Sequence, residues 1–489
     1  MSEVEPLERE VDAEHGKLSR KLGTFANLAI TYSGVGAAAG IFSLFGFSLG
    51  VSGPSMVWGW VLVGLGMGVM SLLFAELASH YPYAGVVYQW SAILSGRRIG
   101  WWVGWVYLFG VIFTLTSYYF TMQASVVPLF GLKGTQAQVV AISLVVLVIA
   151  TGFNAAGIDV LGKFTKFGVI IELGVFAVIT TLVLALSPNH QPLSILTDTG
   201  GTSSGFSGWV GTMLAGGIFL ALWVQFSFEN GGTLGEETVD AHHKAPRAVL
   251  GAWAVTFVAG LFFIVTILVS SGGTKALMGS ATPVVDVISS ALGSKAGTVY
   301  LWLILFITLL GANAFFAGAV RHLFSMARDD MLPFSRGLST TRAKTGSPWI
   351  AVLVIAFITA LPFVASQTFA VLVTGAVAVM YVGYFLISAV MLRARLTGWP
   401  KADAPFKLGG WGLILNIVAL IFTGAMMINL LWPRDATNPA KWGLPVAWWL
   451  LGVPVVVGGI YFVISLLPMI RREEAEGTVE AKAGAPLTG

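Results

Sequence analysis

Twelve separate apolar runs leave this chain few ways to fold, because each is close to the roughly 20 residues that cross about 30 Å of hydrocarbon as a helix. They fall near 24–49, 56–79, 100–129, 137–154, 166–187, 208–234, 247–271, 297–325, 348–365, 368–393, 411–432 and 445–470. Inside a bilayer no water satisfies backbone N–H and C=O groups, so runs of this length must close their hydrogen bonds on themselves. The expectation is an all-α polytopic membrane protein of twelve transmembrane spans. Only 10% of the 489 residues are charged, against about 25% in an ordinary soluble domain. With no cysteine at all, disulfides and thiolate-held metals are excluded.

The basic residues set an orientation. With the N-terminus inside, 22 of the 27 Lys and Arg fall in inner segments, leaving Lys133, Lys275, Lys295, Arg434 and Lys441 outside. That bias predicts both termini in the cytoplasm and a place in the plasma or inner membrane. It also accounts for the net charge of +4 without a nucleic-acid partner. Residues 1–21 read as a polar cytosolic tail, lacking the apolar core of a signal peptide, 22–470 as one membrane domain, and 471–489 as a second tail. The longest outer loops, 188–207 and 272–296, are expected to lie over the external mouth.

Two spans are interrupted. Span 6 carries FLALWVQFSFENGGTLGEE, residues 219–237, in which an apolar run meets Ser227, Glu229, Asn230, Gly231 and Gly232 and then Glu236 and Glu237. A carboxylate beside a glycine break within an apolar segment is costly in lipid and points to function. Span 1 is broken in the same way around Gly34, Gly36, Ala37, Ala38, Ala39 and Gly40. The second break comes five spans after the first, so the second unit is inverted relative to the first. Matching breaks in inverted halves are the best sequence pointer to a transporter's binding site. The repeats run about 22–187 and 208–395, with the spans of 411–470 as additions.

Four motifs carry a resemblance. AELASHYPYAGVVYQW (Ala75 to Trp90), GAAAGIF (Gly36 to Phe42), EETVDAHHKAPRAV (Glu236 to Val249) and RHLFSMARDDMLP (Arg321 to Pro333) resemble, in order and over about two thirds of the chain, signatures of the amino acid, polyamine and organocation transporter superfamily. The Glu-Glu-Thr version looks most like its amino acid and choline branch, with permeases for 4-aminobutyrate, choline and amines. The resemblance implies a LeuT-like five-plus-five inverted repeat and alternating access.

It also sharpens the candidate residues. Freed N–H groups at a half-helix start suit an anionic carboxylate. Ala38, Ala39 and Gly40, with Ser33, Gly36 and Ile41 around them, fall where the family's substrate-carboxylate loop lies; close helix packing is the alternative for these small residues. In span 6, Trp223 and Phe226 flank Ser227 and Glu229, and a cation can sit over an aromatic face. Glu229 matches an acidic position of the family, where it would attract an ammonium group or tie the unwound backbone together. Trp223 matches an aromatic gate, or simply packs.

Glu172, embedded in VIIELGVF, has no charged neighbour for five residues on either side, so it must face the bundle interior or water. The family's cationic branch has a proton-handling lysine at the matching position. Here a glutamate would carry the proton, balance a positive substrate, or make a structural hydrogen bond to span 1. Span 8 has no hydroxyl between Thr308 and Ser325, which disfavours sodium as the coupling ion. Asn313 is a candidate polar liner or a packing residue. Glu76, Glu236, Glu237, Arg321 and Arg328 are expected to form an inner charge network that gates access, or static surface pairs. His242 and His243 are expected to be solvated.

The function expected is secondary active transport: an amino acid or small amine taken up with a proton, with exchange of related amines or sodium symport as alternatives. The two midplane carboxylates tilt the substrate toward positive or separated charge, such as 4-aminobutyrate, choline or a polyamine. No Walker, Ser-His-Asp or His-Glu-x-x-His pattern supports an enzyme, no cofactor or metal is implied, and a channel would lack the paired breaks.

Overall fold

The computed structural model describes residues 22–156, 158–342, 346–365, 369–435 and 437–475. The tails expected at 1–21 and beyond 475 therefore lie outside the described residues, together with Arg9, Lys17, Arg20, Lys21 and Lys482. The remainder is helical almost throughout. Ten helical stretches are long and apolar enough to span a membrane; the first, Thr24–His80, is 57 residues long and takes in spans 1 and 2, while the shorter apolar helix Trp349–Phe363 stands at span 9.

Span 1 is two helices, α1 (Thr24–Val35) and α2 (Ala37–Ser52), followed by α3 (Val57–His80), α4 (Val86–Ser95), α5 (Arg97–Thr121), α6 (Gln123–Leu129), α7 (Gln136–Ala155) and α8 (Ile158–Leu186). The second half opens with α9 (Gly205–Thr212), a π turn at Met213–Gly217, α10 (Phe219–Val224) and α11 (Asn230–Thr233). It continues through α12 (Ala241–Val269), α13 (Thr274–Met278), α14 (Pro283–Leu292), α15 (Ser294–Arg328), α16 (Ser335–Leu338), α17 (Trp349–Ala360) and α18 (Phe369–Leu396). Helix α19 (Gly412–Leu431), a two-residue hairpin of β1 (Ala440–Lys441) and β2 (Leu444–Pro445), α20 (Val446–Tyr461) and α21 (Leu467–Ala475) complete the chain. Local chemistry sets several ends: Thr135 and Gln138 form a reciprocal capping box at the start of α7, and Pro283 opens α14 with Asp286 in its first turn.

The packing is that of two inverted five-helix units. Helix α3 lies against its counterpart α12, and α5 against α18 mirrors α15 against α8. The broken span 1 sits inside, with α1 touching α8, α12 and α15. Spans 4, 11 and 12 turn most of their apolar surface outward, exposing Val148, Ile421 and Ile464 among others. In water such a belt would be an aggregation liability; in a bilayer it is the lipid-facing perimeter.

One end of the bundle carries Arg321, Arg328 and Arg395 and is called here the basic end. At the opposite end the 188–207 loop straps across the start of α3. The Ser55 N–H donates to the Asp198 carbonyl at 2.9 Å, the Trp58 indole to the Leu196 carbonyl at 3.0 Å, and the Thr274 hydroxyl to the Asp198 carboxylate. Gly53, at φ 64°, permits the approach, since a Cβ there would stand 2.4 Å from the Thr199 carbonyl carbon.

At the basic end, Glu76 of α3 is paired with Arg395 of α18 and accepts the Leu408 N–H at 2.9 Å, and both side chains are buried. The guanidinium also lies 4.9 Å from the Trp399 ring centre. Removing one member of such a pair leaves a buried charge uncompensated, at a cost of about 3–5 kcal/mol. Glu76→Ala and Arg395→Ala should each lower the unfolding temperature in detergent sharply, and the double variant should lose less than the sum of the two; simple additivity in that cycle would show the pair to be uncoupled.

Candidate functional site

The break in span 1 is a single residue. Gly36 takes φ 64° and ψ 44°, ending α1 and starting α2 in a different direction. A break leaves carbonyls at the end of one helix and N–H groups at the start of the next without intrahelical partners. Side chains from other spans meet two of the carbonyls and one of the N–H groups. The Tyr118 hydroxyl of α5 is 2.8 Å from the Gly34 carbonyl and 2.7 Å from that of Val35, and its one proton serves them both. The Ala38 N–H donates to Glu172 Oε1 of α8 at 3.2 Å. Glu172 is buried, and its carboxyl faces the positive end of the α2 dipole.

Span 6 unwinds over Gln225–Glu229 rather than over its glycines. Ser227 has φ 70° and gives its N–H to the Tyr384 hydroxyl at 3.1 Å. That hydroxyl donates in turn to Glu229 Oε1 at 2.8 Å, which also accepts from Tyr107 of α5. Glu229 is fully buried, and its Oε2 has no hydrogen-bond partner among the described residues; nor has the buried Ser227 hydroxyl. Gly231 and Gly232, expected at the break, are helical in α11. They are small for contact: a Cβ on Gly231 would come within 2.9 Å of the Val249 amide, and one on Gly232 equally close to the Trp90 ring.

The two breaks meet across an aromatic cluster. Trp223 lies 5.6 Å from Tyr118 and 5.8 Å from Phe226 between ring centres, and Phe315 of α15 closes on Tyr118 at 5.5 Å. A Cβ on Gly40 would stand 2.6 Å from Val224, so α2 and α10 touch directly there. Beside the cluster, toward Asn230, a narrow cavity lined by Tyr107, Thr233, Phe315 and His322 has room for about one water. Ala38, Ala39, Gly40, Ile41, Trp223, Phe226, Ser227 and Glu229 are all buried around this junction. Ser33 faces span 8 through its carbonyl, which Gly311 lets approach; a Cβ there would stand 2.8 Å from it.

Asn313 makes packing hydrogen bonds. Its side chain donates to the Leu309 carbonyl at 2.8 Å and accepts from Asn154 of α7 at 3.3 Å. The gating candidates stand in ion pairs. Glu237 pairs with Arg321, and Glu236 binds Arg328 through two contacts of 2.8 Å while accepting the Ala84 N–H. Glu76 belongs to the separate Arg395 pair. Asp329 joins the network through Tyr88 at 2.8 Å and Gln89 at 2.7 Å; burial pushes its carboxyl up from the usual range, and Arg328 and these two donors pull it back. His242 is not merely solvated, since its Nδ1 lies 2.7 Å from the Ser79 carbonyl; His243 meets the exposed Asp240.

Sequence reasoning missed Tyr107, Tyr118, Tyr384, Phe315 and His322. The signal was present, because a phenol or imidazole deep in an apolar run needs a polar partner. Gly36 leaves no room for a side chain. An alanine there would be held at positive φ, which costs a non-glycine residue about 1–2 kcal/mol, and its Cβ would stand 2.4 Å from the Tyr118 oxygen. Gly36→Ala should lower the unfolding temperature and abolish transport, whereas Gly46→Ala, whose Cβ would meet only Pro283 at 3.7 Å, should do neither.

The sequence has relatives among known proteins. A family model described as amino acid permease covers residues 22–458. An amino-acid permease of Arabidopsis thaliana is 23% identical over 91% of this chain and 90% of its own. A branched-chain amino acid permease of Lactococcus lactis is 26% identical over 83% of this chain and 86% of its own, and a choline transporter of Saccharomyces cerevisiae 28% identical over 76% and 68%. Because the family match runs through both broken spans and into the last one, the chain belongs to the amino acid permease family, whose members are transporters and not enzymes.

Proposed function

We propose that this permease takes up an amino acid or a small amine together with a proton, by alternating access around the junction of spans 1 and 6. The observation that carries the reading is the pairing of two unlike helix breaks. One offers N–H groups at a helix start, among them that of Ala38; the other offers acceptors, Glu229 Oε2 and the Ser227 hydroxyl. A substrate with a carboxylate at one end and an ammonium at the other is complementary to both. Trp223, Phe226, Phe315 and Tyr118 supply apolar and cation-attracting faces between them.

Proton rather than sodium coupling is supported by what stands beside the span 1 break. Glu172 is a buried carboxylate with a backbone partner, whereas span 8 lacks the hydroxyls that sodium would require between Thr308 and Ser325. The pairs Glu237–Arg321 and Glu236–Arg328 hold the span 6 exit to α15, and in this reading they form the gate that opens toward the cytoplasm. The basic bias supports both termini on that side.

In proteoliposomes loaded at neutral pH and diluted into acidic medium, the wild-type chain should concentrate substrate above the outside level. Glu172→Gln should bring accumulation down to equilibration while leaving substrate binding measurable. Full gradient-driven accumulation by that variant would rule out Glu172 as the proton carrier.

A further inference from the structure

We propose that Glu172 occupies the substrate's carboxylate position, and that a proton on Glu172 is what surrenders the Ala38 N–H to an incoming substrate carboxylate. This deepens the proposed function and rests on it. It explains why a proton and an amino acid would move together.

The argument begins at the start of α2. A helix N-terminus attracts an anion because its first N–H groups point at it and the dipole favours negative charge. Here the chain fills that place itself: Glu172 reaches across from α8, more than a hundred residues on in sequence, and accepts the Ala38 N–H at 3.2 Å. The neighbouring carbonyls of Gly34 and Val35 are already taken by Tyr118, so the break has its acceptors and one of its donors closed from two sides. A substrate carboxylate can reach the Ala38 N–H only by displacing Glu172. Two carboxylates crowded at one buried helix start repel each other strongly. If Glu172 takes a proton as the substrate enters, one negative charge at the helix start is exchanged for another. The Ala38 N–H···Oε1 bond breaks, an equivalent bond to the substrate oxygen forms, and a proton drawn from solvent rests on Glu172. Charge is conserved at the helix start.

The surroundings permit this exchange. The titratable groups that interact with Glu172 are the Tyr32 hydroxyl of α1 and the Tyr118 hydroxyl of α5. Among the described residues, no charged side chain of α1, α2, α12, α14 or α15 forms an ion pair with it. Among the described residues, no lysine or arginine therefore pins Glu172 in its charged form. The Tyr32 hydroxyl is buried and has no hydrogen-bond partner among the described residues, and would accept from a protonated Glu172.

The two halves of a matched pair of ligands separate this exchange from ordinary binding. Leucine and 3-methylbutylamine, arginine and agmatine, and 4-aminobutyrate and propylamine differ only in the carboxylate. Thermal shift on the detergent-solubilised full chain selects the pairs that bind, and proton uptake on binding is then read with an indicator dye in weak buffer. The amino acid member should take up about one proton per molecule bound and bind up to about tenfold more weakly for each unit that pH rises; the amine member should take up none. Glu172→Gln should bind the same amino acid with no proton uptake and no pH dependence. An amino acid that binds wild type without proton uptake, or an amine that takes up as many protons as its partner, would overturn the exchange while leaving the transporter reading in place. Should none of the six ligands bind, the exchange would fall together with the reading of an amino acid or small primary amine as the substrate. If Glu172→Gln fails to fold, the wild-type comparison within each pair still decides.

Discussion

Everything at the centre of this molecule depends on satisfying backbone groups that two helix breaks leave open where no water is available. An unpaired peptide group in such surroundings costs several kcal/mol, so each break exists only because other spans reach in to close it. Tyr118 and Glu172 close the span 1 break from α5 and α8. Tyr384 and Tyr107 hold the span 6 break from α18 and α5. The helices that lend these side chains occupy mirrored places in the two repeats, with α5 and α18 packed on each other and α8 on α15. The fold is therefore a frame of intact helices that pays for two broken ones.

That dependence explains which parts were legible in the sequence. The spans were, because length and hydropathy are local properties and the bilayer leaves no other regular option. Span 1's break was located to the residue neighbourhood, since Gly36 is the one position there where positive φ is needed. The span 6 break was read a few residues late. Its glycines drew attention as breakers, yet Gly231 and Gly232 are small to admit Val249 and Trp90, and the positive φ falls on Ser227. Conformational need and packing need favour the same residue type, and only the neighbours tell them apart.

Partners across the bundle were harder still. Glu172 and Glu229 were visible as lone acids, but Ala38 lies 134 residues from the first and Tyr384 155 from the second. Asn313 looks as polar as either, and its partner Asn154 lies 159 residues away. The gate shows the same limit, for Glu76 and Glu236 both stand near motif ends and yet answer to different arginines, Arg395 and Arg328.

The two buried acids also differ in what their environments leave available. Glu229 has one oxygen saturated by two tyrosine hydroxyls and the other without a partner, so it is fixed in place and still able to accept. Glu172 has a single backbone donor whose position another carboxylate can take. A fixed acceptor suits recognition of an ammonium group, because the tyrosines hold its geometry whether or not a substrate is bound. A displaceable acceptor suits coupling, because its state must change when the substrate arrives. Under the proposed reading, recognition and coupling are divided between the two breaks, and Tyr107 and Tyr118, eleven residues apart on α5, tie them to one rigid helix.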